Sequence, residues 1–123
     1  MPISRFEDIE SWQLARGLAM LVFQVSAEGG FSKDFPLRDQ INRAAGSIMD
    51  NIAKGFDGGT NGEFARFLTY AQRSCTEVQS QLYRALDRQY LDQPQFDELY
   101  AMAVQTRSKI GAFIKYLKKS DRR

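Results

Sequence analysis

The sequence predicts an all-α protein, a single domain folded as an antiparallel up-down-up-down four-helix bundle. Three observations predict it. Four segments repeat apolar residues at helical spacing. Glycine, proline and capping signals separate those segments by short links, which join antiparallel neighbours. Strand-like alternation, internal repeats and low-complexity tracts are absent from the 123 residues. That length suits one domain with a sizeable core, residues 1–123, ending in a short basic tail at about 118–123.

The first helix is expected over roughly Glu7 to Ala27, stopped by Gly29-Gly30. The second follows Phe35-Pro36 and runs to about Lys54, with Gly55 as its stop. The third starts at Thr60 and runs to about Tyr90; Thr60 and Glu63 have the S/T-x-x-E spacing of a capping box. The fourth starts near Asp92 and Pro94, where a proline's missing N–H costs little, and runs to about Lys118. With residues placed about 100° apart, Leu37, Ile41, Ala44, Ala45, Ile48 and Ile52 share one narrow arc of the second helix. Phe64, Phe67, Leu68, Ala71, Cys75, Val78, Leu82, Ala85 and Leu86 share one face of the third. Phe96, Leu99, Tyr100, Ala103, Ile110, Ile114 and Leu117 form the core face of the fourth, on which Arg107 also falls and must find an acid or snorkel outward.

Composition excludes several functions. The longest apolar stretch, Leu18 to Phe23, is far short of the ~20 residues a bilayer span needs. Arg5 is followed by Glu7, Asp8 and Glu10 where a signal peptide would be apolar. The chain has no histidine and one cysteine, so a disulfide within it, most transition-metal sites and histidine-based acid–base chemistry are closed to it. Cys75, amid an apolar stripe and with no histidine to activate it, reads as a small core residue. No metal, cofactor or catalytic set is expected, and the cytoplasm is the expected setting.

The remaining signals concern surfaces. Charge is uneven: residues 115–123 hold Lys115, Lys118, Lys119, Arg122 and Arg123 against Asp121, although the whole chain is only +2. Such a tail can attract a polyanion, or simply complement a helix C-terminus. On the first helix, Leu14, Leu18, Leu21, Val22 and Val25 make one apolar arc, while Ile9, Trp12, Ala19, Met20 and Phe23 make another on a different side. A bundle helix needs one buried stripe, so the second predicts self-association; the alternative is that Trp12 and Phe23 cover Phe31 and Phe35 within one subunit.

Polar stripes flank the apolar faces of the middle helices. Gln40, Arg43, Ser47 and Asn51 lie on the second, Ser74, Glu77 and Gln81 on the third. Antiparallel pairing about residues 58–59 predicts an Arg43–Glu77 ion pair with Ser74 beside it, and Ser47 opposite Tyr70, a polar seam that fixes register. Arg66, Arg73, Arg84 and Arg88, with Tyr70 among them, form a row opposite the apolar face of the third helix. Cations with an aromatic suit phosphate and base, while Glu63 with Arg66 is the kind of intrahelical pair that makes such a row an ordinary solvated face. The run Gly55-Phe56-Asp57-Gly58-Gly59-Thr60-Asn61-Gly62 lacks the spacing of a phosphate loop and reads as an inter-helix turn.

Trp12-Gln13, Phe35-Pro36 and the run Gln40-Ile41-Asn42-Arg43-Ala44-Ala45-Gly46-Ser47-Ile48-Met49-Asp50-Asn51-Ile52-Ala53-Lys54-Gly55 carry a resemblance, joined by Glu63-Phe64, Phe67-Leu68 and Ser74-Cys75-Thr76-Glu77. Together they resemble the bacterial four-helix-bundle family named after proteins encoded in 23S ribosomal RNA intervening sequences, with its Q-x-x-R-A-x-x-S-x-x-x-N-I-A-E-G and S-x-x-E patterns. Lys54 stands where the family usually has Glu, so no role carries over to that position. The resemblance implies an antiparallel four-helix bundle, and relatives that include the accessory protein of diversity-generating retroelements form ring-like homopentamers. It also favours Arg43 with Glu77 as a family feature.

The expected function is therefore non-enzymatic: a homo-oligomer, with a pentamer favoured by the resemblance, binding RNA or DNA through Arg66, Tyr70, Arg73, Arg84, Arg88, Lys115, Lys118 and Lys119. A protein–protein adaptor without a nucleic-acid role is the alternative, its arginines engaged in pairs between subunits.

Overall fold

A computed structural model describes residues 3–120. Among them are four α-helices and no strand: α1 (Glu10–Ser26), α2 (Phe35–Asp57), α3 (Asn61–Asp87) and α4 (Gln93–Ser120), with 3-10 turns at Phe6–Asp8 and Phe31–Lys33. Cross-helix partners run in opposite order along each neighbouring pair. Gln40 meets Arg84 and Ser47 meets Ser74 between α2 and α3. Glu10 meets Lys109 between α1 and α4, where Gly17 approaches Met102. Each helix is thus antiparallel to its neighbours, and the sequence order is also the order around the bundle.

The apolar stripes define the core. All six residues of the α2 stripe are buried, as are most of those on α3 and α4, with Phe67, Leu86 and Tyr100 half-buried at its edge. Each fully buried Leu or Ile contributes about 1.5–3 kcal/mol over its exposed state. On α4 the core position is Thr106, whose hydroxyl donates to the Met102 carbonyl; Arg107 beside it points to solvent.

Two helix ends differ from expectation for identifiable reasons. Gly55 does not stop α2, which continues to Asp57. A Cβ on Gly55 would sit 2.8 Å from Phe67 Cβ and 2.9 Å from Phe64 Cδ1, so this glycine lets α3 pack against α2. At the other end of α3, Gln89 adopts φ 62° and Tyr90 N–H donates to the Ala85 carbonyl, a Schellman closure that ends the helix at Asp87 rather than Tyr90. The start of α3 is as expected in one half: Thr60 Oγ1 accepts from the Glu63 amide, while the Glu63 carboxylate turns outward to Arg66.

Candidate nucleic-acid interface

The α2–α3 seam gathers the polar residues that the spacing singled out. Ser74 Oγ donates to Ser47 Oγ at 3.0 Å, and Asn51 Nδ2 donates to the Ser47 hydroxyl (3.0 Å) and carbonyl (2.9 Å). One end of the seam is tied by Arg84, which donates to Gln40 Oε1 at 3.0 Å. Ser47 therefore faces Ser74 and not Tyr70, a slip of about one turn from the expected register. The expected Arg43–Glu77 ion pair is not formed: both side chains are exposed, and neither has a hydrogen-bond or ion-pair partner among the described residues. Instead they line a groove of about 180 Å³ with Gln40, Ala44 and Ser47. The slip leaves the short serine pair, buried on the Ser74 side, to set the register, while the longer charged side chains stay in water. One turn beyond Glu77, Gln81 is only 6% exposed and its Oε1 has no partner.

The arginine row divides. Arg66 pairs with Glu63 and lies over the Phe67 and Tyr70 rings, its centre 5.1 and 5.8 Å from theirs. Arg88, about 33 Å farther along α3, donates to Asp34 at 2.7 Å. Asp34 also caps α2 by accepting from the Leu37 amide and accepts from Tyr90 OH at 2.8 Å. These donors, Tyr90 foremost, hold the Asp34 carboxyl below its ordinary pKa. Arg84 is engaged with Gln40, and only Arg73 of the row has no partner among the described residues. Arg84 and Arg88 thus act within the fold.

The C-terminal cations join the row at its other end. Lys118 and Arg66 line one pocket of about 280 Å³ with Asn61, Gly62, Ala65 and Thr69. Lys115 and Lys119 are exposed on the last turns of α4, without ion pairs among the described residues, and Lys54 is exposed in the last turn of α2. Arg122 and Arg123 lie outside the described residues. Sequence spacing did not place Lys118 with Arg66, because the parts of α3 and α4 that bring them together are distant in the chain. Lys54 was not among the expected contacts; its signal was a charge in the last turn of a helix.

The second apolar stripe of α1 is narrower than expected. Ile9 is buried (2% exposed) within its own chain. Trp12 is half-buried, edge-on to Phe6 with ring centres 5.1 Å apart, and Ala19 is also half-buried. The covering ring comes from the Phe6–Asp8 turn, not from Phe31, which stacks on Tyr90, nor from Phe35, which is exposed. Met20 (54%) and Phe23 (62%) remain open to solvent. Cys75 is buried in the core and desolvation pushes its thiol up to about 12, so it is no nucleophile at neutral pH. Among the described residues no cluster of acidic or cysteine side chains could hold a metal ion.

Residues 7–112 match the family model described as 23S rRNA-intervening sequence protein. The chain belongs to this family. Its α2 run from Gln40 to Gly55 and the Ser74–Glu77 segment meet across the seam described above. A crystal structure of a protein of unknown function from the S23 ribosomal protein family of Bacteroides thetaiotaomicron VPI-5482 is similar, with a TM-score of 0.77 and 18% identity. The match covers 85% of this chain and 98% of that one, and it shows the shared fold. No curated protein matches the chain in sequence. No helix among the described residues is long and apolar enough to cross a membrane.

Proposed function

We propose that this 23S rRNA-intervening sequence protein is a non-enzymatic, cytoplasmic homo-oligomer that binds nucleic acid, RNA above all, along the α2–α3 face and the adjoining end of α4. The observation that carries the reading is the meeting of Lys118 with Arg66 in one pocket; Arg73 and Lys115 are exposed and have no ion pair among the described residues. Tyr70 lies on the same side of α3 as a surface for a base. In a ring, which the resemblance favours as a pentamer, this modest charge is repeated once per subunit, so each weak contact strengthens the next.

Fluorescence anisotropy with single-stranded RNA and duplex DNA tests the proposal. Affinity is expected to fall by at least about a hundredfold between roughly 50 and 200 mM salt, the signature of several phosphate contacts. R73E and K118E should each weaken binding, whereas absence of binding by the intact oligomer at low salt overturns it. The alternative is an adaptor with arginines paired between subunits, for which only Arg73 of the row is left, because Arg66, Arg84 and Arg88 have partners within the chain. It predicts no salt-sensitive binding at all.

A further inference from the structure

We propose that the groove between Arg43 and Glu77 reads a base, and that the base is guanine in a single-stranded RNA. This rests on the nucleic-acid reading above and specifies what that surface selects. Two opposite charges, one on α2 and one on α3, line the same small groove yet form no ion pair with each other or with any other described residue. The helices at this level are held by other bonds, Ser74 to Ser47 and Arg84 to Gln40, and no direct bond joins the charged pair. What remains is a guanidinium fork on one wall and a carboxylate on the other, about 180 Å³ of space between them.

The occupant must present acceptors to one wall and two adjacent donors to the other. Guanine does both: O6 and N7 accept from an arginine fork, while N1–H and the N2 amine can donate together to one carboxylate. Adenine and cytosine place an acceptor beside their exocyclic amine, and uracil has a single N–H between two carbonyls. None of them offers a carboxylate two neighbouring donors. A base pair hides N1–H and N2, so the groove excludes duplex and takes an unpaired base, the usual target of sequence-specific RNA recognition. Neighbouring side chains suit the rest of the strand. Arg73 is exposed and unpaired one turn from Glu77, placed for a phosphate. Tyr70 lies about 10 Å from Glu77 along the same side of α3, placed for a stacked neighbouring base.

The test is anisotropy with the full-length protein and an oligouridine carrying one central guanosine, inosine or adenosine. Inosine keeps O6, N7 and N1–H but lacks the N2 amine. Guanosine should bind about tenfold more tightly than inosine or adenosine, the discrimination typical of one good bidentate contact. E77Q should bring the guanosine-to-inosine ratio close to one, and R73E should lower affinity for all three oligonucleotides together. Circular dichroism confirms that both variants remain folded. Equal affinities for the three oligonucleotides would overturn base reading while leaving nucleic-acid binding intact. A guanosine preference that survives in E77Q places the reading elsewhere and overturns the assignment. Failure to bind any of them at low salt overturns both proposals.

Discussion

Asp34 shows how much one side chain can organise. It caps α2 through the Leu37 amide, accepts from Tyr90 and pairs with Arg88, so it ties the start of α2 to the turn between α3 and α4. Its carboxyl is more acidic in the folded protein than in the unfolded chain, because Tyr90, Leu37 and Arg88 all favour the charged form. Stability from this group is therefore complete above the unfolded value near 4 and is lost as pH falls through the lower folded value. D34N retains a good capping residue but loses the charge. Thermal melts should show D34N less stable than the native chain at neutral pH, with the gap closing as pH falls below the ordinary carboxylate range. A constant gap across that range would mean that the carboxylate's charge is irrelevant. Cys75, by contrast, is buried and inert, and its thiol serves as volume in the core.

At the scale of the element, α2 carries a built-in comparison. Gly46 and Gly55 both interrupt a helix in which alanine would be intrinsically better by about 0.5–1 kcal/mol. A Cβ at Gly46 would meet nothing within 4 Å, whereas one at Gly55 would collide with Phe67 and Phe64. G46A should therefore stabilise by about 0.5–1 kcal/mol, and G55A should destabilise by about 1–3 kcal/mol through overpacking. Urea denaturation of the two variants measures both signs; a stabilising G55A would show that α2 and α3 are not closely packed there. The sequence marks both as glycines in a helical run and reads Gly55 as a stop. Only the approach of α3 reveals why it is small, since the atoms it would strike lie nine and twelve residues away.

At the scale of the whole molecule, the exposed apolar side chains of the described residues include two sets on different helices. One is Met20 and Phe23 on α1; the other is Tyr83 on α3 with Val104 on α4, beside Phe96 and Tyr100. Two unlike patches suit head-to-tail contact between copies, the geometry that closes into rings. Under the proposed self-association, replacing Phe23 by glutamate should shift sedimentation toward a monomer of 14.1 kDa while leaving helical content unchanged. Native chain sedimenting as a monomer at micromolar concentration would overturn the oligomer and leave the tertiary fold as it is.

The local rules of the chain were enough for the four helices, their core faces, the Thr60 cap and the burial of Cys75, because periodicity and capping depend on residues a few positions apart. The polar seam was legible in membership but not in register, since a slip of one turn keeps the same residues on the same faces. Packing alone decided that Ser47 bonds Ser74, that Arg43 and Glu77 stand apart across a groove, and that Ile9 and Trp12 are covered by their own chain. It also joined Lys118 to Arg66 across more than fifty residues of sequence. Those outcomes depend on how helices distant in sequence approach one another, and a side chain's free or bound state follows from that approach.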